Sequence, residues 1–411
     1  MNYQIEDVFS PRSFPQNTYI SRKFDGEETV DDRLRRALAM KGNLIFVSGA
    51  SKSGKTVLCH NAIPAENYVA LSGNQITTKA DFWNHIAEQL PLYDTLVTTT
   101  SKQKNEGKVK QAQVGVNFGI ASMGVSINGN TGDNFNQQLA MTNNRTERQI
   151  IKYLIDNNKV LVLDDFHYIA ADMQMYIART LKTELFNGLK AVIISLPHRS
   201  DEAIICNPDL IGRTTSIEIL PWSAEELRAI AVKGFALLDM NISEDAQQLL
   251  ARESITSPQL MQENCFQLAF AALQKKKPIT LELVRFAFQQ TAKNYAHYER
   301  LVQAIMQGPV QGIGRRKLYA LAEGSADIYR LLLLALKADP PVMKLALAAL
   351  KERLRTLLYK HEQLSSSVIS AALNKIIKIL AGIMPDLDAL EYKNQCLYIL
   401  DPFLLFYLRW K

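Results

Sequence analysis

Residues 44–57, LIFVSGASKSGKTV, constrain the fold of this chain more than any other stretch. Gly49, Ala50, Ser51, Lys52, Ser53, Gly54, Lys55 and Thr56 fit the pattern G-x-x-x-x-G-K-[ST], with an apolar run before it and the helix-compatible KTVLCHNA after it. Such a loop needs a buried strand that delivers it to the N-terminus of a helix. Its glycines let backbone N–H groups wrap an anion, and the helix start adds favourable partial charge. Lys55 is placed to reach β- and γ-phosphates, and Thr56 to offer a hydroxyl to Mg²⁺. The stretch therefore predicts a short strand over 44–48, a helix from Lys55 to Ala62, and ATP with Mg²⁺ bound along Gly49 to Val57.

A loop of this type needs a carboxylate on a neighbouring strand, and KVLVLDDFHYI supplies one. Val160 to Leu163 read as buried strand. Asp164 at the strand end can hold Mg²⁺ through water, and Asp165 is placed to orient or deprotonate an attacking water. LKAVIISLP carries Ser195 near its C-terminal end, where a hydroxyl can meet a γ-phosphate or that water. Arg213, in NPDLIGRTTSIEI, lies at a turn from which an arginine can reach a neighbouring subunit's γ-phosphate; Arg199, in PHRSDEA, is its rival. His167 and His198 have no carboxylate or cysteine at ligand spacing and read as structural.

Around these motifs, strands alternate with helices up to Pro221, which predicts an α/β fold with a parallel sheet flanked by helices. Within it, 95–136 is rich in Thr, Ser, Lys, Gln, Gly and Asn and reads as an inserted β-hairpin loop. Its Lys102, Lys104, Lys108 and Lys110 suit DNA, a partner, a neighbouring subunit or plain solvent equally well. After Pro221 only helical periods follow. The organisation is an arm over 1–41, the α/β core over 42–220, an all-helical lid over 221–295, a linker over 296–327 containing GPVQGIGRRK, and a last domain over 328–411. Three helices and two strand-like runs, ALEYKN and QCLYIL, give the last domain the pattern of a winged helix-turn-helix.

Charge separates the same regions. Ala296 to Lys411 holds 16 Lys and Arg against 10 Asp and Glu, so the whole net charge of +6 sits there. A basic module on a neutral body points to an anionic partner such as nucleic acid. No run of eighteen apolar residues suggests a membrane span, and MNYQIEDVFSPRSFPQ has no apolar leader core. The four cysteines form no CxxC pair and read as free thiols in a reducing cytoplasm.

Taken in order, the phosphate loop, the Asp-Asp strand, the polar strand end, the arginine turn, the helical lid and the winged helix resemble AAA+ ATPases. The STAND and archaeal-ATPase-like branches are closest, with initiator and transposition-regulator ATPases as cousins. FPQNTYISR is similar to the segment that contacts adenine there, with Tyr19 and Arg22 as candidates. PDLIGR resembles the arginine-finger turn, IEILPWSAEEL the entry to the lid, and YILDPFLLFYLRW the ending of the archaeal-type winged helix. The resemblance implies an ATPase that oligomerises with nucleotide and serves defence, transposition or replication initiation.

Two departures stand out. Asp165 replaces the usual Glu, and Gln259 and Gln262 stand where a lid arginine is usual, which suits a slow switch better than a motor. The predicted output helix, SSSVISAALNKIIKILA, has an apolar face of Val368, Ile369, Leu373, Ile376, Ile377 and Leu380. Ser365 to Ser367, Asn374, Lys375 and Lys378 are left for phosphates, and Arg315, Arg316 and Lys317 of the linker can add contacts. The helix has no arginine, so strong sequence readout is not expected, and a protein-binding winged helix remains the alternative. The rival reading of the whole chain is a DNA-binding regulator whose nucleotide site is largely structural.

Overall fold

Strands that read as unbroken apolar runs are buried on both faces, and LIFV, VLVL and AVII are so here. The computed structural model describes residues 3–92, 96–102, 120–124, 135–142, 146–196, 212–309, 316–359, 362–384 and 389–411, the strands between 96 and 142 by backbone pairing only. The chain divides into two units. A sheet unit comprises Arg35–Val47 and Ile63–Ser216, and a lid unit comprises Met1–Leu34, Ser48–Ala62 and Ile217–Lys411.

The fold is α/β, built on a five-stranded parallel sheet in the order Thr214–Ile219, Leu44–Gly49, Lys190–Ser195, Val160–Asp164 and Tyr68–Ser72. Parallel registers run from Tyr68↔Val160 to Ser72↔Asp164 and from Val160↔Lys190 to Leu163↔Ile193. Parallel neighbours require crossovers, and helices Lys79–Glu88, Glu147–Asp156 and Ala171–Phe186 provide them. Phe46, Leu161 and Leu163 of the sheet share a core with Phe82, Ile86, Ile177 and Leu181 of those helices.

Helix Lys79–Glu88 begins in a capping box between Thr78 and Asp81. Hydrogen bonds from Thr77 and Thr78 lower the Asp81 pKa from 3.8 to about 2. A depressed carboxylate pKa stabilises the fold above the unfolded value and loses that contribution as pH falls through the folded one. A carboxyl-carbon NMR titration should therefore find Asp81 still ionised at pH 3, and Thr77→Val, which removes the hydroxyl donating to it at 2.6 Å, should move its midpoint up toward 3.8.

The insertion differs from the expected hairpin. Leu96–Lys102, Ile120–Gly124 and Phe135–Thr142 form a three-stranded antiparallel sheet with Phe135–Thr142 in the middle. The central strand, FNQQLAMT, runs past the expected boundary at 136. Lys104, Lys108 and Lys110 lie outside the described residues.

In the lid unit the arm helix Ile5–Val8 and Phe9 enter a core with Leu227, Ile230 and Phe235 of lid helix Ala224–Leu237. Gly234 makes this possible, since a Cβ there would lie 2.2 Å from the Phe9 ring. Helices Glu244–Glu253, Pro258–Lys275 and Leu281–Asn294 complete the lid. The expected linker instead opens with helix Tyr298–Gln307, whose Tyr298, Leu301, Val302 and Ile305 are buried at i, i+3, i+4 and i+7. Helices Ile328–Leu336, Leu347–Leu357 and Ser366–Ile383 follow. Strand Lys344–Ala346 pairs with Cys396–Ile399, which pairs with Leu390–Lys393. The first of these strands immediately precedes helix Leu347–Leu357, and a further helix, Pro402–Trp410, follows the sheet.

Helix Ser366–Ile383 is, among the described residues, long and apolar enough to cross a membrane, with mean hydropathy 1.4. Its Ile369, Leu373, Ile376 and Leu380 are built into the core, as expected, but Val368 is exposed. Val368 sits in the first turn, ahead of the buried stripe. Asn374, Lys375 and Lys378 face solvent. Arg316 is not free for phosphate, because it pairs with Asp327 at 3.0 Å and lies over the Tyr329 ring. Lys317 pairs with Glu362 at 3.3 Å. Arg315 lies outside the described residues. Cys59 is buried, Cys265 and Cys396 are buried free thiols, and burial raises the Cys265 thiol pKa well above its ordinary value.

The lid and the terminal helix are one body. Phe288 packs against Phe406 and Trp410 with centroids at 5.8 and 4.6 Å, and Tyr295 against Phe403 at 4.7 Å. At the rim of these rings Glu253 is fully buried. It accepts two bonds of 2.9 Å from Arg409, one of 3.0 Å from Arg252 and one of 2.8 Å from Trp410 Nε1. Burial disfavours the Arg409 charge, yet the Glu253 bonds outweigh it and raise the Arg409 pKa. Asp401 caps the terminal helix at Phe403 N and accepts from the buried Tyr298 hydroxyl.

Candidate functional site

The phosphate loop has the backbone its sequence demands. Lys52 and Gly54 adopt positive φ, 63° and 95°, the kind of backbone from which anion-binding nests are built, and Ser53 N closes a turn onto Ala50 O at 3.3 Å. Gly49 passes so close to strand Thr214–Ile219 that a Cβ would meet Ile219 Cβ and O at 2.9 Å and Ser53 Oγ at 3.0 Å. Lys55 Nζ arches over the loop and donates to Gly49 O at 2.9 Å and Ala50 O at 2.8 Å. Ser53 is buried and its Oγ has no hydrogen-bond partner. Ala50, Ser51, Lys52 and Thr56 are exposed and Val57 is half-buried. The Lys52 ammonium lies 5.6 Å from the Phe403 ring centroid.

The two arm candidates are tied to protein partners. The Tyr19 hydroxyl donates to Asp31 Oδ1 at 2.7 Å, and the buried Asp31 also accepts from Ser21 at 2.6 Å and Asn61 at 2.7 Å. The Tyr19 ring stacks on Phe14 at 6.0 Å. Arg22 grips Glu226 with bonds of 2.8 and 3.1 Å, donates to Leu220 O at 2.8 Å, and lies 4.8 Å over the Trp222 ring. Burial works against the Glu226 charge, but the bonds from Arg22 and Ser223 prevail and lower its pKa. Gln262, at the position where the resemblance seeks an arginine, is buried between arm and lid. It donates to Thr18 Oγ1 at 2.8 Å and accepts from Ser10 N at 3.2 Å.

Trp222 carried no signal in the sequence beyond its place in IEILPWSAEEL. In the structure its Nε1 donates to the loop carbonyl of Ser53 at 2.9 Å. A lone tryptophan between a proline and a helix cap could not have announced a partner 169 residues upstream.

In the sheet unit, Asp164 closes its strand and accepts from Asp165 N at 2.8 Å. Asp165 is left-handed, φ 54°, a strained state for a residue other than glycine. Its carbonyl lies so near Gly73 that a Cβ there would sit 2.2 Å away. Ser195 lies two residues beyond the Leu163↔Ile193 pair, at the level of Asp165. It is 1% exposed and its Oγ has no hydrogen-bond partner. His167 packs on Tyr168 with centroids at 4.2 Å. Arg213 is exposed and lies 5.9 Å over the ring of Phe186, itself 78% exposed. His198 and Arg199 lie outside the described residues.

Loop geometry and donor chemistry fit a nucleotide phosphate: a nest, an ammonium over it, and an unbonded serine hydroxyl within it. Among the described residues no three His, Cys, Asp or Glu side chains cluster to hold a metal alone. The hydroxyl of Thr56 and the carboxylate of Asp164 are each hard oxygen donors of the kind Mg²⁺ takes.

No family model matches the chain, and no curated protein matches it either. It is similar to the crystal structure of Cdc6p from Pyrobaculum aerophilum, at 14% identity and TM-score 0.46 over 98% of this chain and 97% of that one. It is similar to a Walker-type ATPase of Pyrococcus abyssi at 12% identity and TM-score 0.48, over 94% and 96% of the two chains. A third similar structure is the RuvB Holliday junction branch migration motor of Thermotoga maritima, at 12% identity and TM-score 0.41, over 91% and 92%.

Proposed function

We propose that this chain is an ATP-dependent molecular switch of the AAA+ type, which binds ATP with Mg²⁺, hydrolyses it slowly and changes its assembly with nucleotide state. The observation that carries the reading is the phosphate loop: positive φ at Lys52 and Gly54, Lys55 over the loop, and a buried Ser53 hydroxyl without a protein partner. In this reading Lys55 and the loop N–H groups hold the phosphates, and Thr56 and Asp164 hold the ion. Bound there, Mg²⁺ neutralises phosphate charge. Asp165 orients or deprotonates the attacking water, with the unbonded Ser195 hydroxyl as a further donor on the same sheet edge. The shorter carboxylate of Asp165, where the resemblance expects Glu, favours slow turnover. Tyr19 and Arg22 shape the adenine end through the arm, held by Asp31 and Glu226.

The exposure of Arg213 over Phe186 supports its role as the finger that reaches a neighbouring copy. The last domain acts as a winged helix on DNA or a partner protein. Its helices Ile328–Leu336, Leu347–Leu357 and Ser366–Ile383, its three-stranded sheet and the exposed Asn374, Lys375 and Lys378 support that assignment. A single experiment tests assembly and output together: size-exclusion chromatography with light scattering, with and without Mg²⁺-ATP and a DNA duplex. ATP should raise the mass of the wild type and leave Arg213→Ala unchanged; equal masses in all four runs would reject the assembly reading. Duplex should co-elute at low salt and be lost in Lys375→Glu/Lys378→Glu, and no co-elution would assign the output to protein.

A further inference from the structure

The bond between Trp222 and the phosphate loop has a stereochemical consequence. A trans peptide points its C=O and the following N–H to opposite sides. Ser53 O is bonded to Trp222 Nε1 at 2.9 Å, so the N–H of Gly54 faces away from Trp222. Gly54, at φ 95°, is where the loop resists a peptide flip least, because glycine populates both signs of φ with similar ease. The Ser53–Gly54 peptide needs an external pin to keep one orientation.

Trp222 is itself fixed. It follows Pro221 and precedes Ser223, the N-cap of helix Ala224–Leu237. The Arg22 guanidinium lies 4.8 Å over its ring, and Arg22 is held by Glu226 and by the carbonyls of Leu220 and Pro221. The pin is thus anchored in both the arm and the lid entry.

We propose that Trp222 is a positioning residue for the nucleotide: by fixing the Ser53 carbonyl it presents the Gly54 N–H to the phosphates before they arrive. The proposal rests on the nucleotide reading of the loop. A pre-oriented amide needs no reorganisation on binding, and contact with a bridging or terminal phosphate persists from ground state to transition state. Its loss weakens uniform binding, raising KM and sparing kcat. No loss is expected for a ligand part that never reaches the loop.

Trp222→Phe tests this, since it keeps a ring under Arg22 and removes only the donor. Two readouts are needed. Hydrogen exchange by mass spectrometry on the ligand-free protein should show faster exchange in peptides covering 49–57 and unchanged exchange in lid helices Ala224–Leu237 and Pro258–Lys275. Calorimetry should show ADP binding weakened about tenfold, the size of one charge-assisted hydrogen bond, with the KM for ATP raised in step and kcat within about twofold. Unchanged ADP affinity in the folded variant overturns the proposal. So does faster exchange throughout the lid, which would make Trp222 a general packing residue. A wild-type chain that binds no ADP overturns the nucleotide reading itself, whatever Trp222 does to the loop.

Discussion

Replacing Arg409 with alanine should lower the thermal midpoint of the lid unit by roughly 10 °C. The guanidinium satisfies both oxygens of Glu253, a carboxylate with no solvent exposure, and also meets Asp339 at 2.6 Å. Removing one partner of a buried pair leaves an uncompensated charge, at a cost of about 3–5 kcal/mol. Arg252 and Trp410 would still donate to Glu253, which keeps the loss toward the lower end. The double variant Glu253→Leu/Arg409→Leu should recover much of it, because apolar replacement of both partners removes the stranded charge. Differential scanning calorimetry on the wild type, Glu253→Leu, Arg409→Leu and the double variant closes the cycle. A double variant as unstable as the two single losses added together would mean that the pair is not coupled.

Lys55→Ala should abolish measurable ATP turnover and weaken ATP binding roughly ten- to hundredfold, the worth of a lost charge-assisted contact. The ammonium already lies over Gly49 and Ala50, so its removal empties the centre of the nest without touching the core. Asp165→Ala should behave differently, losing turnover while retaining ATP, because a water-orienting carboxylate acts after binding. Coupled-enzyme assay and calorimetry separate the two. ATPase activity that survives both substitutions would place the chemistry elsewhere.

The elements legible in the sequence are those whose signal is local. Four apolar residues ahead of Asp164 announce a buried strand, and GASKSGKT fixes its own turn chemistry. What was not legible depends on partners far along the chain. Gln262 reads as a missing arginine until Thr18 and Ser10 are found across it, 244 and 252 residues away. Arg22 stands in the arm with no local sign that Glu226, 204 residues on, holds it. Strand Lys344–Ala346 is three residues long and exists only because Cys396–Ile399 lies beside it. Helix Tyr298–Gln307 carries a clear amphipathic period, but the glycines and proline that follow it drew the whole span toward a linker.

The terminal helix bears on the order in which this protein can be made. Its aromatic face completes the core of a lid that was translated more than a hundred residues earlier, and that lid in turn holds the arm at the beginning of the chain. The sheet unit ends at Ser216 and can close while the ribosome is still working. The lid unit cannot, because until Phe403, Phe406 and Trp410 leave the exit tunnel its central rings have nothing to cover them. Residues 48–62, which include the glycine-rich loop, belong to that late unit, so a nascent chain stalled before residue 402 should hold a folded sheet and an unfinished loop.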